Sequence, residues 1–584
     1  MNTRVDVTQR RNGTVVLVGI ALLLVALAGR IVHINWTLHE KLTGIADRQQ
    51  SGSTIIPHRR GLIFDARGRM VAGSRLVPDV FVDPLLVGDV DALAQDLGAR
   101  LNLDPGKLAD GIRARAGRRF HVVARGVDEV TAKAVREMRN PAVGLTMRSA
   151  RTYPLGASMA HVLGFVGRDG VGLEGIESWH NEHLSGRDGR RRTIRDAARR
   201  ALHGVEGGAV RPVDGGHIVL TIDAEIQAAA ERAVENAVAQ FEAESGVAVV
   251  MSPKTGEVLA MVSWPTYDPN RFGESTPQQR RNRVVTDPTE PGSTFKPFLA
   301  SGALADGVLS TTELIDCGMG RRYFGRRLVK DVSPHGLMDI KGIITKSSNI
   351  GMGIIAERMG DAALYDIMRR FGFGERLGIE CPGEASGIVY PLRRWTSMSA
   401  ASIAMGYEVA VTPIQLAAAF SAIVNDGVYV APRLVKRLLT SDGTVLEQRN
   451  SRPPPRRVIP SDVARYMATE LLVSVVANGS GWRAALDDYQ VMGKTGTAKL
   501  PFADRKGYEP GAYLSLFMGA APARDPQVVA VVMIRRPNPS IGYYGGQVSG
   551  PAVREILRET LAYLGVPPDG TVAMTAAYRS RPGL

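Results

Sequence analysis

Pro291-Gly292-Ser293-Thr294-Phe295-Lys296-Pro297 places a serine three residues ahead of a lysine, directly after a Pro-Gly break at which a helix can begin. At that spacing the two side chains share one helix face. A serine hydroxyl is a poor nucleophile until a neighbouring base takes its proton, and a lysine amine can do so where its surroundings disfavour the charged form. The positive end of the helix dipole would also stabilise negative charge developing at Ser293. Alone, the spacing decides nothing, because a chain of this composition contains one S-x-x-K about once by chance.

Two later elements change that. Lys346-Ser347-Ser348-Asn349 supplies an S-x-N, a hydroxyl and an amide able to relay a proton to a leaving amine and to hold a substrate carbonyl. Residues 490–497, QVMGKTGT, end a short apolar run in K-T-G-T. A second K-T-G, Lys254-Thr255-Gly256, precedes the serine and sits at a predicted hairpin tip, where glycine serves turn geometry alone. Gly170-x-Gly172-x-x-Gly175 satisfies a dinucleotide fingerprint but has no βαβ series around it. His180-x-Glu182-His183 falls one residue short of an inverted zinc-protease motif and reads as a surface helix. No metal site and no cofactor are expected.

Around these motifs, 584 residues suggest two or three folded units, and 44% hydrophobic with 22% charged residues is an ordinary globular composition. The net charge of +14 implies attraction to anionic partners, whether nucleic acid, headgroups or an acidic polymer. Cys317 and Cys381 stand in no metal-ligand spacing, and whether they pair is left open. Arg4, Arg10 and Arg11 precede the apolar run VVLVGIALLLVALAG (residues 15–29), which continues past Arg30 to Trp36. A span needs roughly 20 residues, so residues 14–36 read as a transmembrane helix with 1–13 as a cytoplasmic tail. A signal peptide cleaved near Ala26-Leu27-Ala28 is the alternative. Either reading exports the bulk of the chain, which argues against nucleic acid as a partner.

Residues 39–50 look helical, and modest helices are expected at 89–101 and 129–139. The arginine-rich stretch 187–200 reads as a solvated loop or helix surface. The glycine-rich segment 205–216 marks a boundary. Beyond it come a strand (HIVLTID), a helix over 224–243 and a hairpin around Pro253–Gly256. Helices follow over 353–359, 414–424 and 461–475, and strands over 514–519 and 527–534.

Taken together, the chain resembles the class B penicillin-binding proteins. Ser293/Lys296, Ser347/Asn349 and Lys494-Thr495-Gly496-Thr497 carry the resemblance in the second domain. Arg60-Gly61-Leu62-Ile63-Phe64-Asp65, Arg151-x-Tyr153-Pro154-x-Gly156 and Gly172-x-Glu174-Gly175-x-Glu177 carry it in the first. Residues 378–384, 411–417 and 543–551 are similar to the division-specific FtsI type, while Glu408 stands where relatives more often have a small residue. The resemblance implies an α+β multidomain fold: one transmembrane helix, an elongated pedestal of the dimerisation type (37–215), a transpeptidase domain with a β-lactamase-like antiparallel sheet packed by helices (216–567), and a tail (568–584). It implies a peptidoglycan D,D-transpeptidase with Ser293 as nucleophile, Lys296 as base, Ser347 and Lys494 in proton relay and Asn349 orienting substrate. Thr495, Gly496 and Thr497 would bind substrate, and the amides of Ser293 and Thr497 would form the oxyanion hole. Expected partners are stem peptides (D-Ala-D-Ala donor, amine acceptor), β-lactams as covalent inhibitors, a separate SEDS-family polymerase of the FtsW type and other divisome proteins. The expected place is the bacterial inner membrane, with the catalytic domain in the periplasm at the septum. The alternatives are an elongation-type class B enzyme and a D,D-carboxypeptidase or β-lactamase-like hydrolase.

Overall fold

A computed structural model of the chain describes residues 2–37, 41, 51–195, 201–202, 209–450 and 453–569. The expectations of a helix through 39–50 and of a tail over 568–584 fall almost wholly outside these residues. The chain divides into two compact units, one of residues 1–58 with 187–213, the other of residues 59–186 with 214–584.

In the first unit, helix α1 (Asn2–Thr37) contains a stretch, Gln9–Thr37, long and apolar enough to cross a membrane. The unit also pairs Ser51–Ile56 antiparallel with Gly189–Arg195. The arginine-rich stretch is therefore in part a strand, and the expected loop or helix is not found over 189–195. Charge density says where a segment is solvated but not whether its backbone has a pairing partner 130-odd residues away.

The second unit is built on a five-stranded antiparallel sheet: β1 (Ser245–Met251), β2 (Val258–Trp264), β3 (Met492–Pro501), β4 (Tyr508–Ala521) and β5 (Val528–Arg535), in the order β2-β1-β5-β4-β3. Strands β1, β2 and β5 are almost continuously apolar because both of their faces are covered. Alternation then sorts each strand between two cores. Val529, Val531 and Met533 of β5 join the larger core, whereas Val528, Ala530, Val532 and Ile534 join the smaller. The smaller core is closed by α2 (Ala224–Gln240) and α7 (Gly550–Tyr563). The larger contains α3 (Lys296–Ala305), α4 (Ile340–Lys346), α5 (Asn349–Arg370, interrupted at Gly360) and α6 (Pro413–Val424). Helix α6 starts with Pro413 behind a Thr412/Gln415 capping box, and all twelve of its residues are buried.

The three pedestal motifs converge on one carboxylate. Glu177 is fully buried and accepts from Arg60 Nε and Arg151 Nε, each at 2.6 Å, while Tyr153 OH lies 3.4 Å away. Glycines 172 and 175 of the dinucleotide-like pattern serve backbone packing: a Cβ on Gly172 would lie 1.9 Å from the Glu177 carbonyl oxygen. Of the zinc-like histidines, His183 bonds the His217 carbonyl at 3.0 Å and His180 is buried. The pedestal sheet continues past the expected boundary at residue 216, since Ile63–Phe64 runs parallel to His217–Leu220. Cys317 and Cys381 are both free and buried.

Candidate active site

Gly292 adopts φ +54°, a left-handed conformation that glycine takes without penalty, and turns the chain into a 3-10 segment, Gly292–Phe295, ahead of α3. Ser293 is left partly exposed on that turn while Lys296, at the start of α3, is fully buried. A 3-10 turn eclipses residues three apart, so the Ser-x-x-Lys spacing aligns the two side chains.

The loop bearing the S-x-N motif comes from the junction of α4 and α5. Ser347 ends α4 with φ +56°, a left-handed conformation that a non-glycine residue holds only where its surroundings over-determine it. Asp331 does much of that determining. Its carboxylate accepts from Ser348 Oγ (2.6 Å), Asn349 N–H (2.5 Å) and Ile350 N–H (3.1 Å), which also satisfies the first donors of α5. Asn349 Nδ2 donates to the Lys330 carbonyl at 3.0 Å, so its Oδ1 faces the lysines.

Strand β3 supplies the third element. Gly496 and Ala498 pack on the nucleophile turn, Lys494 reaches Ser347, and Thr495, Gly496, Thr497 and Lys499 line the cleft. Gly496 is required by proximity, because a Cβ there would be 2.8 Å from Thr294 Cγ2 and 2.9 Å from the Pro291 carbonyl. The other triplet, Lys254-Thr255-Gly256, lies between β1 and β2, where Gly256 has φ +70° and Lys254 pairs with Asp525 on the surface.

The three elements meet at Ser347. Lys296 Nζ donates to the Ser347 carbonyl (2.6 Å), Asn349 Oδ1 (2.8 Å) and Ser347 Oγ (3.3 Å). Lys494 Nζ donates to the same Ser347 hydroxyl at 2.9 Å. Burial pushes the Lys296 amine down to about 7, with the Asp331 charge opposing. Burial, then the nearby Lys296, holds Lys494 well below the ordinary lysine range. Two lysines sharing one hydroxyl in a desolvated site cannot both stay charged, so a free amine is available near neutral pH. Among the described residues, no hydrogen bond joins Ser293 Oγ to Lys296.

Ser293, Ser347, Asn349, Thr495, Gly496 and Thr497 all line one cleft of about 1090 Å³, which brings the candidate residues together around a single opening; the two lysines lie beneath it. The contacts that several further residues make at the cleft escaped sequence reading. Ser480 shares a 2.6 Å hydrogen bond with Thr495 Oγ1, and Thr497 Oγ1 accepts from Gly545 N–H at 3.0 Å. Tyr513 and Tyr544 line the cleft, and Tyr543 stacks on both, with centroids 4.3 and 4.4 Å away. Glu408, with φ +59°, accepts from Ser399 Oγ at 2.7 Å; Tyr407, and not Glu408, lines the cleft.

Such a fold and site define a serine acyl-transferase of the S-x-x-K type. Residues 246–558 match the family described as the penicillin-binding protein transpeptidase domain, and residues 55–220 the one described as the penicillin-binding protein dimerisation domain. The chain is 32% identical over 555 residues to the peptidoglycan D,D-transpeptidase FtsI of Escherichia coli K12, covering 94% of this chain and 91% of that one. It is also 32% identical over 567 residues to the stage V sporulation protein D of Bacillus subtilis 168, with 96% and 87% covered. Among solved structures it resembles penicillin-binding protein 3 of Mycobacterium tuberculosis complexed with aztreonam, with a TM-score of 0.69 at 28% identity, covering 89% of this chain and 99% of that one. The chain belongs to the penicillin-binding protein family, as a class B member that joins a dimerisation domain to a transpeptidase domain.

Proposed function

We propose that the chain cross-links peptidoglycan as a serine-type D,D-transpeptidase, with Ser293 as the acylated nucleophile. The observation that carries the assignment is the Lys296–Ser347–Lys494 hydrogen-bonded relay beside Ser293. Neutral Lys296 takes the Ser293 proton as Oγ attacks the penultimate D-Ala carbonyl of a stem peptide. The amides of Ser293 and Thr497 hold the oxyanion. As the C–N bond breaks, the proton returns through Ser347 to the departing D-Ala, with Lys494 supporting the relay. Asn349 orients the substrate amide, and Thr495, Gly496 and Thr497 receive the terminal carboxylate. An acceptor amine from another strand then attacks the ester and regenerates Ser293.

In this reading residues 14–36 anchor the chain in the inner membrane, residues 37–215 form the pedestal and residues 216–567 the transpeptidase domain in the periplasm. The likeness to FtsI supports septal work beside an FtsW-type SEDS polymerase and other divisome proteins. Round cells instead of filaments on depletion would contradict the septal assignment. Fluorescent penicillin labelling followed by mass spectrometry of the acylated peptide tests the nucleophile. The adduct is expected on Ser293 and absent from Ser293→Ala; an adduct elsewhere would overturn the assignment, and release within seconds would favour a hydrolase.

A further inference from the structure

A second cavity, of about 720 Å³, opens at the end of the sheet where β1 and β4 begin and β3 and β5 end. That volume suits a ligand of a few residues. Val247, Ala498, Leu500, Leu514 and Met533 supply its apolar lining. Arginines 281, 283, 535 and 536 also border it. Three of them are paired: Arg281 with Asp287 at 2.6 Å, and Arg535 and Arg536 with Glu244 at 3.5 and 2.8 Å. Arg283 is the exception. Half-buried, it has no carboxylate within 4.0 Å among the described residues, and its Nη1 donates to the Gln278 carbonyl at 3.0 Å. Burial lowers its pKa; Asp287 and Glu244 oppose that, and Arg281 and Arg535 add to it. A half-buried guanidinium with no carboxylate in contact favours one that engages it through two parallel bonds.

The other wall is acidic and adjoins the cleft that Ser293 lines. Glu290, three residues before Ser293, accepts from Tyr508 OH at 3.0 Å and from Glu408 N–H at 3.2 Å. Tyr508 meets Tyr407 edge-on at 5.8 Å; Tyr407 lines the cleft, Glu408 the second cavity, and Lys499 both. A simple inorganic anion would use the arginines but neither the apolar lining nor the acidic wall. A peptide bearing carboxylates and an amine uses all three.

We infer that this cavity is a second peptide subsite, which holds a stem peptide other than the one being acylated by placing its carboxylate on Arg283. The inference rests on the transpeptidase reading for its ligand class. Its test uses the full-length protein in detergent, with Ser293 first blocked by penicillin G so that the catalytic cleft is occupied. Calorimetric titration with the tripeptide L-Ala-γ-D-Glu-meso-diaminopimelate, which has no D-Ala-D-Ala to acylate with, is expected to show saturable binding to the blocked protein. Arg283→Gln is expected to weaken it about tenfold or more, through loss of the charge-assisted pair, and Arg283→Lys to weaken it less. Should Arg283→Gln melt without cooperativity, a diazirine derivative of the tripeptide on the wild-type protein decides instead, with cross-links expected within residues 281–290 or 498–503. Absent binding to the blocked protein, equal binding by a folded Arg283→Gln variant, cross-links confined to other segments, or inorganic phosphate competing at equal affinity would each overturn the subsite. Failure of penicillin to acylate Ser293, read by mass spectrometry on the same sample, would count against the transpeptidase reading instead.

Discussion

Asp331 offers the sharpest test of how the site is held. Its carboxylate accepts three hydrogen bonds, from Ser348 Oγ, Asn349 N–H and Ile350 N–H, and its charge opposes the burial that depresses Lys296. Asp331→Ala removes all three bonds. At about 1–1.5 kcal/mol each for a partly exposed acceptor, and with incomplete additivity, the loss of stability should be about 2–4 kcal/mol. Asp331→Asn differs: its Oδ1 can still accept from the two backbone amides, and the Ser348 hydroxyl can turn to accept from Nδ2. What it loses is the charge. The Lys296 pKa must then fall further below its present value of about 7. In the wild type, a base of pKa about 7 is roughly 10% free at pH 6 and 90% free at pH 8, so acylation should rise about tenfold across that interval. The assay is the second-order rate of acylation by fluorescent penicillin between pH 5.5 and 9. For Asp331→Asn the midpoint should move to lower pH, with the plateau within about tenfold of wild type, whereas Asp331→Ala should lower the plateau itself. An unmoved midpoint, or one displaced upward, would refute the electrostatic part of the argument. An Asp331→Ala protein as stable and as fast as wild type would refute the positional part.

Glu177→Ala strands two buried guanidinium groups in the pedestal and should cost about 3–5 kcal/mol in urea unfolding; a loss under 1 kcal/mol would show that the pair is dispensable. Gly496→Ala forces a methyl group against Thr294 and Pro291, and strain of about 1–3 kcal/mol passed to the nucleophile turn should slow acylation some 10- to 100-fold. His161 is buried against the Gln279 carbonyl, and burial lowers its pKa to about 4. Below the ordinary imidazole value of about 6.5 the unfolded chain binds a proton that the native state does not, so stability falls as pH drops from 6.5 towards 4. His161→Gln should remove about 2–3 kcal/mol of the difference in unfolding free energy between pH 7 and 4.5, and equal slopes in the two proteins would contradict the assignment.

Much of the site was readable from residue order alone because each catalytic element is short and its geometry local. Ser293 and Lys296 lie one turn apart, Ser347 and Asn349 flank a helix start, and Lys494 to Thr497 alternate along a strand; in each case neighbouring backbone dictates which side chains share a face. The hairpin at Pro253–Gly256, α6, and the strands within Tyr508–Ala521 and Val528–Arg535 follow from periodicity and turn chemistry in the same way. Tertiary structure alone decided the rest. Asp331 reaches Ser348 across 17 residues, Ser480 reaches Thr495 across 15, and Glu290 reaches Tyr508 across 218. No local spacing encodes such approaches, since they depend on how loops pack. The same holds for the lysines. Sequence supplied two amines; only the tertiary structure buries both around one hydroxyl, in a medium that disfavours two charges and lowers the pKa of each.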